Sequence, residues 1–312
     1  MKEILITDSL FVFPEHEEKL KQHGILVHRL NKLCASEQEI IENLKGKDGY
    51  ILGGIEKVTD KIIEECSDTL KIISFTGSDW KHFIPGWKTA EKKGIKIGNA
   101  LGANSYAVAE HTVMGMLAMT RNIFTLSRTG KSNFQTSLSL KESTIGIIGL
   151  GKIGCEVVKI LYGFGVKEIL YFSNTRKLEM EKKYNIHYTS LENIVKKSDI
   201  ITQHVPDSAG IVIYSELIQK IKNNTIIINN GGASCIDKES LLIRLQNGEL
   251  RLFQDEPIKD DRFLKLDFNT YICSNETTAY NTLEANKKAS DIAVNTIINV
   301  LENKGDDYIV SK

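Results

Sequence analysis

Residues 144–154 read TIGIIGLGKIG. Ile145–Ile148 is a short apolar run of the kind that forms a buried strand. It leads into Gly149, Gly151 and Gly154, spaced as GxGxxG, and the pattern predicts a helix from about Ile153. Each glycine has its own physical reason. The first permits a tight turn, the second lets the backbone approach a pyrophosphate, and the third lets helix and strand pack closely. The pyrophosphate then meets the positive end of the helix, at the amides of Lys152, Ile153 and Gly154. Another strand pattern, Glu168–Phe172, comes about 20 residues on, the distance at which a βαβ unit brings its second strand back. Taken together, these features predict a dinucleotide-binding domain.

The end of that second strand decides which dinucleotide. A carboxylate there would accept hydrogen bonds from the adenosine ribose hydroxyls. The sequence instead has Ser173 and Asn174, then Arg176 and Lys177. Without the acid there is nothing to repel a 2′-phosphate, and the two cations can pair with it. The expectation is therefore NADP(H) in preference to NAD(H). The following run KLEMEKK (177–183) reads as a solvated helix face.

Outward from this segment the chain alternates throughout. Ile4–Thr7, Ile25–Leu30, Tyr50–Gly53 and Lys71–Phe75 have strand patterns, and a first unit closes near Ile95–Asn99. His16–His23, Ser36–Lys45 and Thr59–Cys66 have helical spacing, with Ser36 and Thr59 as N-caps. Such alternation predicts parallel sheets covered by helices on both faces, a doubly wound α/β fold. Tyr106–Arg121 is a long helix apolar on more than one side, as expected of a helix buried between two surfaces. A second alternating unit spans Ser143–Ser274, and Thr282–Leu301 forms a last helix.

Composition narrows the function classes. Lys+Arg and Asp+Glu number 40 each in 312 residues, so no broad field draws the chain to nucleic acid or anionic lipid. No apolar run approaches the roughly 20 residues that span a bilayer. The N-terminal MKEILITDSLFVF reads as a strand rather than a signal peptide. The five cysteines (34, 66, 155, 235 and 273) include no CxxC, which fits reduced thiols in a cytoplasmic protein and gives no metal site. His204 reads as contacting cofactor or satisfying the backbone rather than as an acid–base group, Trp80 and Trp87 as packing or cleft-lining, and Cys235, close to the expected cofactor but without a paired His, as no nucleophile.

The whole chain resembles the D-isomer-specific 2-hydroxyacid dehydrogenase family. The likeness lies in the glycine motif and in Ile73–Asp79, which is similar to the family's substrate-side Gly loop. It extends to the Gly94–Asn99 and Asn104–His111 segments, to the turn His204-Val205-Pro206, to Ile228-Asn229, Asp237 and Leu241, and to Thr282, Glu284 and Ala285. The resemblance implies two Rossmann-like domains, the cofactor domain (103–282) inserted into a substrate domain (1–102 plus 283–312). It implies that Thr76, Gly77 and Ser78 meet the substrate and that His204, Val205, Pro206, Asn230 and Gly231 lie on the cofactor side. A homodimer built through the long helix is implied as well.

The catalytic positions depart from the family. Its Arg, which holds the substrate's carboxylate and carbonyl, falls on Gly232 of Ile228-Asn229-Asn230-Gly231-Gly232. Its acid–base His falls on Glu276, with Asn275 in place of the preceding Pro; none of the seven histidines (16, 23, 28, 82, 111, 187, 204) lies there. The orienting Glu matches Glu256, or else Asp255 matches the family's nicotinamide-side Asp and that Glu is deleted; the register favours Glu256. Such a pocket is more negative than the family's by about one to two charges at neutral pH. Three readings stay open. In the first, an active oxidoreductase takes a neutral carbonyl or an amine or imine, with Glu276 as acid–base group, its pKa raised by burial or by Glu256. The second is a cofactor-binding sensor or assembly protein without chemistry. The third is an ordinary reductase of small 2-oxo acids such as glyoxylate.

Overall fold

The structure is a computed structural model and describes residues 1–7, 12–32, 34–66, 68–129, 136–274 and 276–311. Residues 8–11 of the N-terminal apolar stretch, and Asn275, lie outside them. The chain forms two compact units, Met1–Asn104 with Asn281–Lys312, and Ser105–Tyr280. Among the described residues no helix is long and apolar enough to cross a membrane.

The first unit runs β1 (Lys2–Thr7), α1 (Pro14–Gln22), β2 (Ile25–Leu30), α2 (Glu37–Leu44), β3 (Gly49–Leu52), α3 (Asp60–Cys66), β4 (Ile72–Phe75), α4 (Trp80–Phe83), α5 (Trp87–Lys92) and β5 (Lys96–Asn99). Its five strands are all parallel, in the order β2-β1-β3-β4-β5. Ser36 caps α2 as its spacing predicts: its Oγ accepts from the Glu39 amide at 3.3 Å while Glu39 accepts from the Ser36 amide at 3.0 Å. Helix α1 starts two residues earlier than its composition suggests, because Pro14 needs no amide partner in a first turn. Alternate residues serve opposite faces of the sheet. Leu5, Tyr50, Leu52 and Ile73 pack with Ile40, Ile41, Ile62 and Ile63; Ile4, Ile6, Ile51 and Ile72 pack with Ala293, Val294 and Ile297 of the final helix.

The second unit runs α6 (Ser105–Thr120), α7 (Ile123–Thr129), β6 (Thr144–Ile148), α8 (Lys152–Phe164), β7 (Glu168–Phe172), α9 (Leu178–Tyr184), β8 (His187–Tyr188), α10 (Leu191–Lys197), β9 (Ile200–Gln203), α11 (Ser215–Lys220), β10 (Thr225–Asn229), α12 (Lys238–Gln246), β11 (Leu250–Gln254), α13 (Asp261–Leu264) and β12 (Tyr271–Cys273). Helix α14 (Leu283–Leu301) belongs to the first unit. The seven strands are again parallel, ordered β12-β11-β10-β9-β6-β7-β8. Apolar residues on both faces of this sheet are covered: Ile145, Ile147 and Ile226 with α6 and α8, Ile148, Ile201 and Ile227 with α10, α11 and α12. Both sheets are thus doubly wound. Strand order reverses at β6, which places a crevice at its carboxyl end.

Candidate functional site

The glycine motif sits at that reversal. Gly149 has φ +94°, and a Cβ there would lie 2.9 Å from the His204 carbonyl oxygen. A Cβ on Gly154 would overlap the Gly149 carbonyl oxygen, so only glycine lets α8 approach so closely. Gly151 differs from both: a Cβ would meet nothing within 4 Å. Gly151 is also the N-cap of α8 and, having no side chain, provides no side-chain cap at that helix start. The helix starts one residue earlier than expected.

The turn after β9 closes over the motif. The His204 amide donates to the Ile148 carbonyl at 2.7 Å, and its Nε2 lies 3.0 Å from Thr202 Oγ1. Burial pushes the imidazole down to about 4, so it is neutral at physiological pH, and its Nδ1 is buried without a partner. Val205 donates to Gln203 Oε1 at 2.9 Å, and Pro206 leads into a short turn at Asp207–Ala209. Just past β10, Asn230 Nδ2 donates to Thr112 Oγ1 at 2.9 Å; the Thr112 hydroxyl itself donates to Val108. That chain of donors fixes the amide's orientation and leaves Asn230 Oδ1 as a buried acceptor without a partner. The Gly231 amide donates to Asn229 Oδ1 at 3.2 Å. These orphaned atoms, the uncapped helix and the open Gly151 fit a bound dinucleotide.

Sequence reasoning missed the buried amide ladder that supports this edge. Gln203 Nε2 donates to Asn229 Oδ1 at 2.5 Å, and Asn229 Nδ2 donates to Gln254 Oε1 at 2.9 Å. The signal was present: β9, β10 and β11 are otherwise largely apolar runs, and each ends on an amide.

Beyond β7 the structure corrects one reading. Ser173 and Asn174 follow β7 as expected, and Arg176 is more than half exposed. Yet its guanidinium is bound by Glu181, with Nε to Oε1 at 2.8 Å and Nη2 to Oε2 at 2.7 Å. Glu181 also accepts from the buried Tyr171 hydroxyl at 2.6 Å, and these partners hold its carboxyl down at about 2. The 177–183 run is therefore not uniformly solvated, because α9 turns Glu181 inward. Lys177 donates its amide to the Tyr171 oxygen at 2.9 Å.

The positions that the sequence matches to the family's catalytic residues have concrete surroundings. A Cβ on Gly232 would overlap the carboxylate of Asp207, which also accepts from the Ser234 amide and hydroxyl. Glu276 is exposed, so the burial invoked for it is missing; Glu256 is half-buried. Asp255 is buried, and its Oδ1 accepts from the Thr278 amide at 3.0 Å and the Ala279 amide at 3.1 Å. It lies 3.9 Å from His111 Nε2. Asp255 thus ties the segment following Glu276 to the end of β11. Cys235 is buried and burial raises its thiol pKa, which makes it a poor nucleophile. Among the described residues no group of His, Cys, Asp or Glu could hold a metal.

In the first unit, the loop after β4 carries Thr76, Gly77 and Ser78. The Thr76 amide donates to Leu52 at 3.1 Å, so that amide is unavailable to an anion. A Cβ on Gly77 would lie 2.5 Å from the Phe75 ring, and the Ser78 carbonyl accepts from the buried Asn99 side chain at 3.0 Å. Trp80 and Trp87 pack edge to face at 5.8 Å, in keeping with a packing role.

Two doubly wound parallel sheets, one with a glycine turn at its strand reversal, define a dinucleotide-binding class of fold. Residues 113–273 match the family model "D-isomer specific 2-hydroxyacid dehydrogenase, NAD binding domain". A glyoxylate reductase of Thermofilum pendens is 32% identical over 309 residues, 92% of this chain and 88% of that one. A hydroxypyruvate reductase of Thermotoga maritima is 32% identical over 242 residues, 74% of this chain and 77% of that one. The NAD+-bound 3-phosphoglycerate dehydrogenase of Entamoeba histolytica superposes with a TM-score of 0.83 at 22% identity, over 100% of this chain and 99% of that one. The chain belongs to the D-isomer-specific 2-hydroxyacid dehydrogenase family.

Proposed function

We propose that this protein is a nicotinamide-dependent oxidoreductase whose substrate is a neutral carbonyl compound or a cationic amine or imine, rather than a small 2-oxo acid. One observation carries the reading: the carboxylate of Asp207 lies against position 232, which the sequence matches to the family's Arg. A carboxylate-bearing substrate would meet repulsion there instead of a bidentate fork.

In this reading the 103–282 segment binds cofactor and 1–102 with 283–312 binds substrate. A nicotinamide held there would supply hydride transfer. The amides of Lys152, Ile153 and Gly154, with Gly149 and Gly151, hold the pyrophosphate; His204, Val205, Pro206, Asn230 and Gly231 hold the nicotinamide side. Thr76, Gly77 and Ser78 contact substrate. Glu276 exchanges the proton with the substrate's oxygen or nitrogen and Glu256 supports it; the support for both is their place in the chain, and for Glu276 also the Asp255 tether. Ser173, Asn174, Arg176 and Lys177 favour NADP(H), since no carboxylate ends β7 and two cations follow it.

Met114 and Leu117 on α6, with Ile123 at the start of α7 and Phe164 at the end of α8, are apolar and exposed, which supports a homodimer formed largely on α6. Five free cysteines fit a cytoplasmic setting.

The likeness to a glyoxylate reductase favours the ordinary 2-oxo-acid reading as the alternative. Nicotinamide absorbance with NADPH or NADH and a panel of neutral carbonyls, imines and 2-oxo acids separates them. Turnover on the first two groups alone supports the proposal. Turnover on glyoxylate or hydroxypyruvate supports the alternative, and binding without any turnover supports a sensor.

A further inference from the structure

Glu181 and Arg176 form more than a surface ion pair. The two parallel bonds fill the guanidinium fork in the way a phosphate fills it. The partners are held unequally. Glu181 is 15% exposed and fixed from the interior by Tyr171, a side chain buried under the end of β7. Arg176 is 57% exposed and reaches in from solvent, its guanidinium 5.6 Å from the Tyr188 ring centroid. The carboxylate is therefore the fixed element and the guanidinium the movable one.

We infer that Glu181 is a specificity-determining residue at the adenosine end, an internal competitor that a 2′-phosphate must displace from Arg176. The inference rests on the proposed preference for NADP(H). A phosphate and a carboxylate compete for one fork, and when both are present their like charges repel. This opposing effect acts on NADPH and not on NADH, which carries no 2′-phosphate. Wild-type protein should accordingly discriminate between the two less than Ser173, Arg176 and Lys177 alone would dictate. The acid is missing from the end of β7, but one is present on α9, paired with the very cation that would read the phosphate.

Calorimetry of NADPH, NADH, 2′,5′-ADP and 5′-AMP on wild type and Glu181→Gln tests this. Glutamine keeps an acceptor for the Tyr171 hydroxyl and removes the charge; Glu181→Ala is a second variant with the same expected sign. NADPH and 2′,5′-ADP should bind roughly three- to tenfold tighter, with NADH and 5′-AMP unchanged, and the gain should vanish when Arg176→Ala is added. Unchanged or weaker NADPH binding in both variants overturns the inference. So does a loss confined to NADH, which would make Glu181 a ribose ligand. The wild-type NADPH/NADH ratio tests the preference itself, whereas the change in that ratio tests Glu181.

Discussion

The carboxylate of Asp207 occupies the space into which any side chain at Gly232 would project. Asp207 is anchored by Ser234, so it is not simply free to swing away. A guanidinium introduced at 232 would pair with Asp207 rather than present its fork to a substrate.

Gly232→Arg with Glu276→His should therefore gain little glyoxylate reduction, and adding Asp207→Ala should release the gain. Steady-state assays of the double and triple variants check this. Equal activity in the two would show that Asp207 does not control the position. Wild-type turnover of glyoxylate within the usual range of about 1–10³ per second would sink the altered-substrate proposal outright.

The two glycines flanking the helix start should respond differently. Gly151→Asp has room for its side chain but places an anion at the uncapped helix end, so dinucleotide binding should be lost with the melting temperature nearly unchanged. Gly154→Ala has no room and should cost about 1–3 kcal/mol of stability through overpacking. Denaturant titration and calorimetry on both variants read the contrast. Retained binding in Gly151→Asp would refute the pyrophosphate assignment.

Much of this was legible in the chain because it is local. The glycine turn, the Ser36 cap and the strand runs are set by neighbours a few residues apart. What escaped were contacts made across the fold. Asp207 and Gly232 are 25 positions apart in sequence and meet only because β9 and β10 are adjacent. Glu181 sits in a charged run whose composition says solvent, and only the path of α9 turns it toward Tyr171. The Gln203–Asn229–Gln254 ladder needs three strands in register before its amides touch.

The exposed apolar face of α6 should be covered by a second copy. Leu117→Glu places a charge there without disturbing buried side chains and should convert a dimer to a monomer in sedimentation analysis. A monomeric wild type would remove the basis for the dimer.

His204 gives the stability a pH signature. Its folded pKa is depressed by burial, to about 4 from an ordinary 6.5. Above pH 6.5 the imidazole is neutral in both folded and unfolded chains and costs nothing. Between 6.5 and 4 the unfolded chain binds the proton and the folded one does not, so stability falls as pH falls. The whole loss is at most ~3 kcal/mol for this group. Glu39, Glu181, Glu192 and Glu302, each held at about 2 by its partners, lose their contributions only as pH drops below about 4.5. The window from pH 6.5 to 4.5 lies above the range in which these four carboxylates lose theirs, so the His204 contribution is read there. His204→Gln keeps a partner for Thr202 and cannot titrate. Urea unfolding at pH 7 and pH 5 should show a smaller drop in stability for the variant than for wild type. Parallel drops in the two proteins would show that His204 is not the group responsible.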